Sequence, residues 1–501
     1  MTPRIDPSFT ALPLDELAGA ALSAAATPLV SHAEVRVERT RVATASARDG
    51  HLESDADGAT AGLSVRVLHD GTWGFAATTE ISSAAAARAA REAVEVARVS
   101  AALSTERVEL APEPVHVAEW ISSFEVNPFD VPAAERAALL IEWTARMVAD
   151  RRVDHADAAL MAVQEDKFYA DLSGTRTTQE RVRIQPVVNV VGIDAGSGTF
   201  ETMRTLAPPA GRGWEYTQGT GWDWDAELES LPALLEEKMS AGTVDAGHYD
   251  VVIDPSNLWL TIHESIGHAT ELDRALGYEA AYAGTSFATF DQLDRLRYGS
   301  PVMHVTGDRT VEHGLATVGF DDEGVEAQSW DLIRDGTLVG YQLNRSMASR
   351  QGFDRSNGCA FADSAVHVPL QRMANVSLQP ARGGPSTEEL ISAVADGIYI
   401  VGDKSWSIDM QRYNFQFTGQ RFYRIKGGRL AGQLRDLAYQ GVTTEFWSSM
   451  EAVGGEQTYV LGGAFNCGKG QPGQVAAVSH GCPSALFRGV HILNTNEEAG
   501  R

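Results

Sequence analysis

One stretch constrains this chain more than any other. Residues 254–277 read Asp-Pro-Ser-Asn-Leu-Trp-Leu-Thr-Ile-His-Glu-Ser-Ile-Gly-His-Ala-Thr-Glu-Leu-Asp-Arg-Ala-Leu-Gly. Asp254 is a good N-cap, and Pro255 suits the first helical position. Leu258, Ile262, Ile266, Ala269 and Leu272 recur at three- and four-residue steps, so one helical face is apolar. Gly277 is the expected stop. His263, Glu264 and His268 sit inside this helix. Two imidazoles and a carboxylate on a buried helix cost free energy unless they bind something.

Their spacing sets a geometric condition. Zinc peptidases commonly place two histidines at i and i+4, about 40° apart around a helix of 3.6 residues per turn. Here they stand at i and i+5, roughly 140° apart on an ideal helix. A regular helix could not bring both to one ion. A widened turn of the π type would, and such turns are frequent at functional sites. Gly267, just before the second histidine, lowers the cost of that distortion. The spacing therefore predicts a bulge over residues 264–268, with Glu264 beside the metal as general base.

Composition enters as a set of exclusions. A chain of 501 residues is too long for one ordinary core, so two domains or more are expected. A net charge of -26 argues against nucleic acid and against an anionic membrane surface. No apolar run reaches the roughly 18 residues needed to span a bilayer. Asp6, Asp15 and Glu16 interrupt the N-terminus before the apolar core of a signal peptide forms. Cys359, Cys467 and Cys482 are too few for a disulfide framework. The cytoplasm is the expected compartment, with thiols free to bind metal.

The rest of the chain reads as α+β. Residues 13–30, 82–104 and 131–150 are expected helices. A half-buried strand starts at Glu34, and Asp49-Gly50 and Asp70-Gly71 are hairpin signals. Two long strands face each other across Ser173-Gly174. Strands, then helices, then strands describe a mixed α/β domain over 1–240 with a mostly antiparallel sheet. Residues 206–225 mix Gly and Pro with Trp214, Tyr216, Trp222 and Trp224, which reads either as interdomain or subunit packing or as a wall of the substrate site. A helix at 226–241 and a strand at 249–253 lead into the metal helix. Residues 241–501 are expected to be β-rich, with strands over 301–345 and 364–380, a helix at 386–396 and a hairpin over 411–432.

A catalytic zinc needs a third protein ligand and an open position. Cys467 lies in Leu461-Gly-Gly-Ala-Phe-Asn-Cys-Gly-Lys-Gly-Gln-Pro472, a Gly-rich loop that permits close backbone approach. Lys469 would favour the thiolate. A buried inert cysteine fits the same residues, and His480 with Cys482 is an alternative pair. His304, His313, His367 and His491 read as surface or packing residues. Asp321, Asp322 and Glu323 could form a second metal site, although an acidic turn closed by Gly324 is the simpler reading.

Taken together, His263-Glu-Ser-Ile-Gly-His268 and the Cys467 segment resemble the TldD/PmbA family of metallopeptidases. Residues 65–75, Gly-Phe-Asp321-Asp322-Glu323-Gly324 and Gln-Arg-Met-Ala-Asn375 add to the likeness, which covers nearly the whole chain. The resemblance implies that His263, His268 and Cys467 ligate zinc and that Glu264 is the base. It implies two-domain subunits that associate into a dimer enclosing a cavity. The partner would be a second copy or a TldE/PmbA-type subunit, which lacks the HExxxH motif kept here. Substrates would be unfolded or extended peptides, with maturation of small peptides among the family's tasks. Two other functions remain open from the residues: a non-catalytic peptide-binding subunit, and a metal-dependent hydrolase of a non-peptide amide.

Overall fold

A computed structural model describes residues 4–196 and 198–496. The first half is built on a seven-stranded sheet. Its order is Thr72–Thr78, His51–His69, Val30–Arg48, His155–Asp171, Arg176–Ile193 and Val117–Ile121, with Phe200–Arg204 also paired to Arg176–Ile193. Within it only Val117–Ile121 runs parallel to its neighbour. Both hairpin signals form tight turns in which both residues have positive φ: Asp49 49°, Gly50 80°, Asp70 47° and Gly71 76°. These values are those of the two-residue turn whose twist matches paired strands.

Among the described residues, four longer helices cover this sheet. Leu14–Ala25 and Ser83–Ser100 bury alanine-rich faces against Val35, Val37, Val65 and Val67. Ala133–Val148 and Trp224–Met239 close a second core, where Trp143 stacks on Trp224 at 4.8 Å. Trp214, Tyr216 and Trp224 are buried in that core, whose members all lie in the first half, so these aromatics pack the interior of one half and not an interface as expected. The preceding residues, Arg204–Pro209, line a cleft, the other reading the sequence offered for this segment.

The second half is β-rich, as expected. One sheet runs Asp396–Ile408, Gly247–Ile253, Ala485–Asn494, Leu437–Val442, Asn414–Lys426, Arg429–Leu434. Pairing of Asp396–Ile408 with Asn414–Lys426 closes five of these strands into a ring. A four-stranded sheet (Thr337–Leu338, Ser329–Arg334, Val305–Asp308, Asn375–Leu378) and the hairpin Val460–Lys469/Gln474–Cys482 pack beside it. The helix that carries His263 leaves the end of Gly247–Ile253, capped by Asp254. It is tied to the closed sheet through Asn257, which donates to the carbonyls of Gly402 (2.9 Å) and Thr418 (3.1 Å) and accepts from Tyr439 (2.7 Å).

The halves meet through buried ion pairs. Asp322 receives Lys167 Nζ at 2.9 Å and Arg36 at 3.1 Å, and Glu323 receives Arg66 at 3.0 Å. Asp321 accepts the backbone N–H groups of Glu323, Val325 and Ala360 at 2.8–2.9 Å. Gly324 closes the turn at φ 75°. The acidic segment is thus a turn that docks one half on the other, and its oxygens are already engaged. Among the described residues no helix is long and apolar enough to cross a membrane.

Candidate metal centre

The helix opens as regular α over Pro255–Ile262, widens to a π turn over His263–Gly267, and tightens to a 3₁₀ turn over His268–Thr270. The N–H of His268 bonds to the carbonyl of His263, five residues back. The bulge lies where the i, i+5 spacing required it. The helix is shorter than the sequence pattern, however. Glu271 is extended (ψ 115°), and Leu272–Ala275 is a separate short helix.

Side chains stabilise the distorted turn. Thr270 Oγ1 donates to the Ile266 carbonyl at 2.9 Å, Gln342 to that of Gly267 at 2.7 Å, and Tyr298 to that of Ser265. Gly267 itself has ordinary right-handed backbone angles. Its importance is contact: a Cβ there would lie 2.6 Å from Met373 Sδ. The glycine serves close packing, where the sequence suggested backbone freedom.

The π turn places the His263 and His268 rings 4.7 Å apart, centre to centre. One donor atom each from His263, His268 and Cys467 lies within 4.8 Å of the others, and all three residues are buried. Cys467 Sγ is 3.7 Å from His268 Nε2. Cys467 stands on the strand Val460–Lys469, at the end of an irregularity in the ladder between Ala464 and Cys467. The expected loop is therefore a bulged strand.

The surrounding hydrogen bonds fix which ring nitrogens stay available. His480 Nδ1 lies 2.9 Å from the Val376 carbonyl, which can only accept. That nitrogen must carry the proton, so His480 Nε2 accepts from His263 Nδ1 at 2.7 Å. His263 Nε2 keeps a free lone pair. His268 Nδ1 likewise donates to Glu271 at 2.8 Å, so the unprotonated Nε2 is the atom that faces Cys467 Sγ. Second partners of this kind orient metal-binding histidines. Both ring nitrogens of His480 are engaged, so it orients His263 and is not itself placed as an alternative ligand. Cys482, its proposed companion, directs Sγ to the Pro255 carbonyl.

Electrostatics agree with that arrangement. Burial holds His480 far below the usual imidazole range, with the neighbouring His263 adding to the effect. Burial would raise the Cys467 thiol, but the adjoining His268 brings it below its ordinary value. Lys469 does not act on the thiol as its position in sequence suggested. Its ammonium is buried among Glu271, Asp273 and Glu279, at 3.1, 2.9 and 2.9 Å. Burial opposes ionisation of Glu271 as well, yet Lys469, His268 and Arg274 hold it well below the carboxylate range. Glu264 is similar: burial raises it, while His263, His268 and Arg412 more than offset this.

His263, Glu264, His268 and Cys467 face a cleft of about 440 Å³. Pro186, Arg204 and Pro208 of the first half form one wall; Trp259, Trp406 and the run Gly462–Gly468 form the other. His304, His313, His367 and His491 lie elsewhere, bonded respectively to Asp331, Gly211, Asp363 and Gln440. Two contributors escaped the sequence reading. Glu271 was visible in principle, three residues after His268, and Arg412 gave no signal. His480 was read as an alternative ligand and stands instead as the partner of His263.

Comparison with known proteins bears on this arrangement. Residues 246–494 match the PmbA/TldA metallopeptidase C-terminal domain, and residues 33–97 match PmbA/TldA metallopeptidase domain 1. A metalloprotease of Methanocaldococcus jannaschii is 26% identical over 423 residues, 84% of this chain and 89% of its own length. A zinc metalloprotease TldD homolog of Saccharolobus solfataricus is 26% identical over 263 residues, 52% of this chain and 55% of its own. The crystal structure of TldE from Thermococcus kodakarensis shares the fold, with a TM-score of 0.69 at 16% identity, covering 93% of this chain and 97% of that one. The chain belongs to the TldD/PmbA family.

Proposed function

We propose that this chain is a zinc-dependent peptidase of unfolded or extended peptides, able to mature small peptides. In this reading His263, His268 and Cys467 hold the ion and Glu264 is the general base. One observation carries it: one donor atom each from two imidazoles and a thiol converge within 4.8 Å beside a cleft-facing carboxylate. The donor set fits the ion. Two imidazoles and a thiolate suit zinc, and three protein ligands leave the open position a catalytic site needs. The naming of one relative as a zinc metalloprotease supports the same choice.

When bound, zinc supplies Lewis acidity to the scissile carbonyl and to the attacking water. The remaining work falls to the chain. Glu264 takes the water's proton and passes it to the leaving amine. His480 and Glu271 hold the two imidazoles in the tautomers that point Nε2 inward. Val460–Lys469 pairs on one side with Gln474–Cys482 and lines the cleft, so an extended peptide can add alongside it.

Residues 1–240 act in this reading as the unit forming the dimer and its cavity, and 241–501 as the metallopeptidase unit. The partner is a second copy or a TldE/PmbA-type subunit. The fold shared with TldE supports a partner of the same architecture. Three free cysteines suit the reducing cytoplasm.

The test compares metal content and cleavage of unstructured peptides and small amides by wild type, Glu264→Gln and Cys467→Ala, with and without a TldE-type subunit. The expected result is about one zinc per wild-type chain. Glu264→Gln should keep the metal and lose about 10²–10⁴ in kcat, and Cys467→Ala should lose the metal. A metal-free wild type, or a Cys467→Ala chain that binds zinc equally well, overturns the ligand set. Metal without any peptide cleavage points to a peptide-binding subunit, and cleavage of small amides alone to an amide hydrolase.

A further inference from the structure

Glu264 is held from one side. Arg412 donates to its Oε2 at 2.5 Å, and Oε1 has no hydrogen-bond partner among the described residues. Arg412 comes from far along the chain, in the turn 409–413 between Asp396–Ile408 and Asn414–Lys426. Its side chain is 13% exposed, and its Nε is buried without a partner. The Glu264 contact is therefore the one side-chain hydrogen bond found for this guanidinium among the described residues.

The backbone makes the placement more telling. Arg412 has φ 64°, in the left-handed region that long side chains rarely adopt. Such conformations persist where the surroundings over-determine them, and they cluster at functional sites. Here the turn is fixed on several sides. The Asp409 carboxylate accepts the N–H groups of Gln411, Tyr413 and Asn414 at 3.0, 2.8 and 2.9 Å. Thr443 Oγ1 donates to the Arg412 carbonyl at 2.8 Å. Thr285 and Phe287 donate to the carbonyls of Met410 and Gln411 at 2.8 and 2.9 Å. Glycine would occupy this position without strain, yet the chain has arginine, aimed at the carboxylate beside the metal ligands.

We propose that Arg412 is the positioning residue of the general base. Its guanidinium pins Oε2 of Glu264 and so turns Oε1 to the cleft, where the proton of the attacking water is received. A planar guanidinium donates along fixed directions, which a lysine ammonium does not. The inference rests on Glu264 acting as base, and it adds the residue that aims it.

Two measurements on the full chain test it: steady-state cleavage of an unstructured peptide by the zinc-loaded protein, and thermal unfolding of the metal-free protein. Arg412→Gln should lower kcat by about 10–100-fold, with KM and zinc content unchanged, and Arg412→Lys should recover part of the loss. In unfolding, Arg412→Gln and Glu264→Gln should be non-additive, because each removes the same contact. Wild-type kcat in Arg412→Gln, or a loss confined to KM or zinc content, overturns the proposal. So does strict additivity of the two unfolding shifts. If wild type cleaves no peptide, the peptidase reading fails, and the unfolding cycle still decides the Arg412–Glu264 coupling. Should Arg412→Gln not fold, Arg412→Lys serves in both measurements.

Discussion

Two regions of this molecule bury charged and polar side chains to a similar depth, and they differ in what is left over. Between the halves, Glu34, Arg36, Glu38, Arg66, Lys167, Asp322 and Glu323 are all less than a tenth exposed. Each has an opposite charge within 3.6 Å. In the candidate metal centre His263, His268 and Cys467 are just as buried, but one donor atom of each converges with the others within 4.8 Å. Burial of polar groups alone therefore does not mark a working site. Bonding capacity that is preserved and made to converge does.

The comparison breaks most sharply at the junction. Asp322→Ala should destabilise the chain by about 3–5 kcal/mol, because it leaves Lys167 and Arg36 buried and under-paired. The denaturant midpoint measures this. A change under about 1 kcal/mol would place the junction with exposed ion pairs, which contribute little.

Acid should find the junction next. Burial alone would raise the Glu34 carboxyl, but Arg66 and His32 bring it from the ordinary 4.5 down to about 2. A carboxylate with a depressed pKa stabilises the fold above its unfolded value and loses that contribution as pH falls through the folded one. Stability should therefore drop between pH 4.5 and about 2, by about 3 kcal/mol from this group. Glu34→Gln should flatten that limb in unfolding experiments across this range, and an unchanged slope would reject the assignment.

The smallest effect concerns the candidate metal centre. His480→Phe keeps an aromatic ring but removes the acceptor for His263 Nδ1. Zinc affinity measured against a competing chelator should fall by about 10–100-fold, the usual effect of losing such a partner. Unchanged affinity would mean that His263 needs no orienting bond, and the contrast between the two regions would lose its metal-centre half.

Much of the site was legible because its signals are local. Asp254, Pro255 and the apolar steps set a helix start, and the i, i+5 spacing of His263 and His268 demanded a widened turn. The hairpins at Asp49-Gly50 and Asp70-Gly71 were legible for the same reason, since turn chemistry is written in adjacent residues. What failed to read depends on distant partners. The helix breaks at Glu271, whose carboxylate is engaged by His268 from its own segment and by Lys469 from almost 200 residues away. Lys469 was read as the neighbour of Cys467, but three buried carboxylates outcompete the thiol for its charge. Gly267 was read for backbone freedom and turned out to make room for Met373.

The sequence by itself determined residue chemistry and periodicity: a helix carrying two imidazoles and a carboxylate, an α+β first half, a β-rich second half, and a composition ill suited to nucleic acid. Those follow from propensity, spacing and charge, which act over a few residues or over the whole composition. Tertiary structure alone decided that the strand carrying Cys467 passes beside His268, that His480 and Glu271 set the tautomers, that Arg412 reaches Glu264, and that the acidic turn docks the halves. Each of these joins partners on different elements or separate turns, and only the packed core fixes the distance between them.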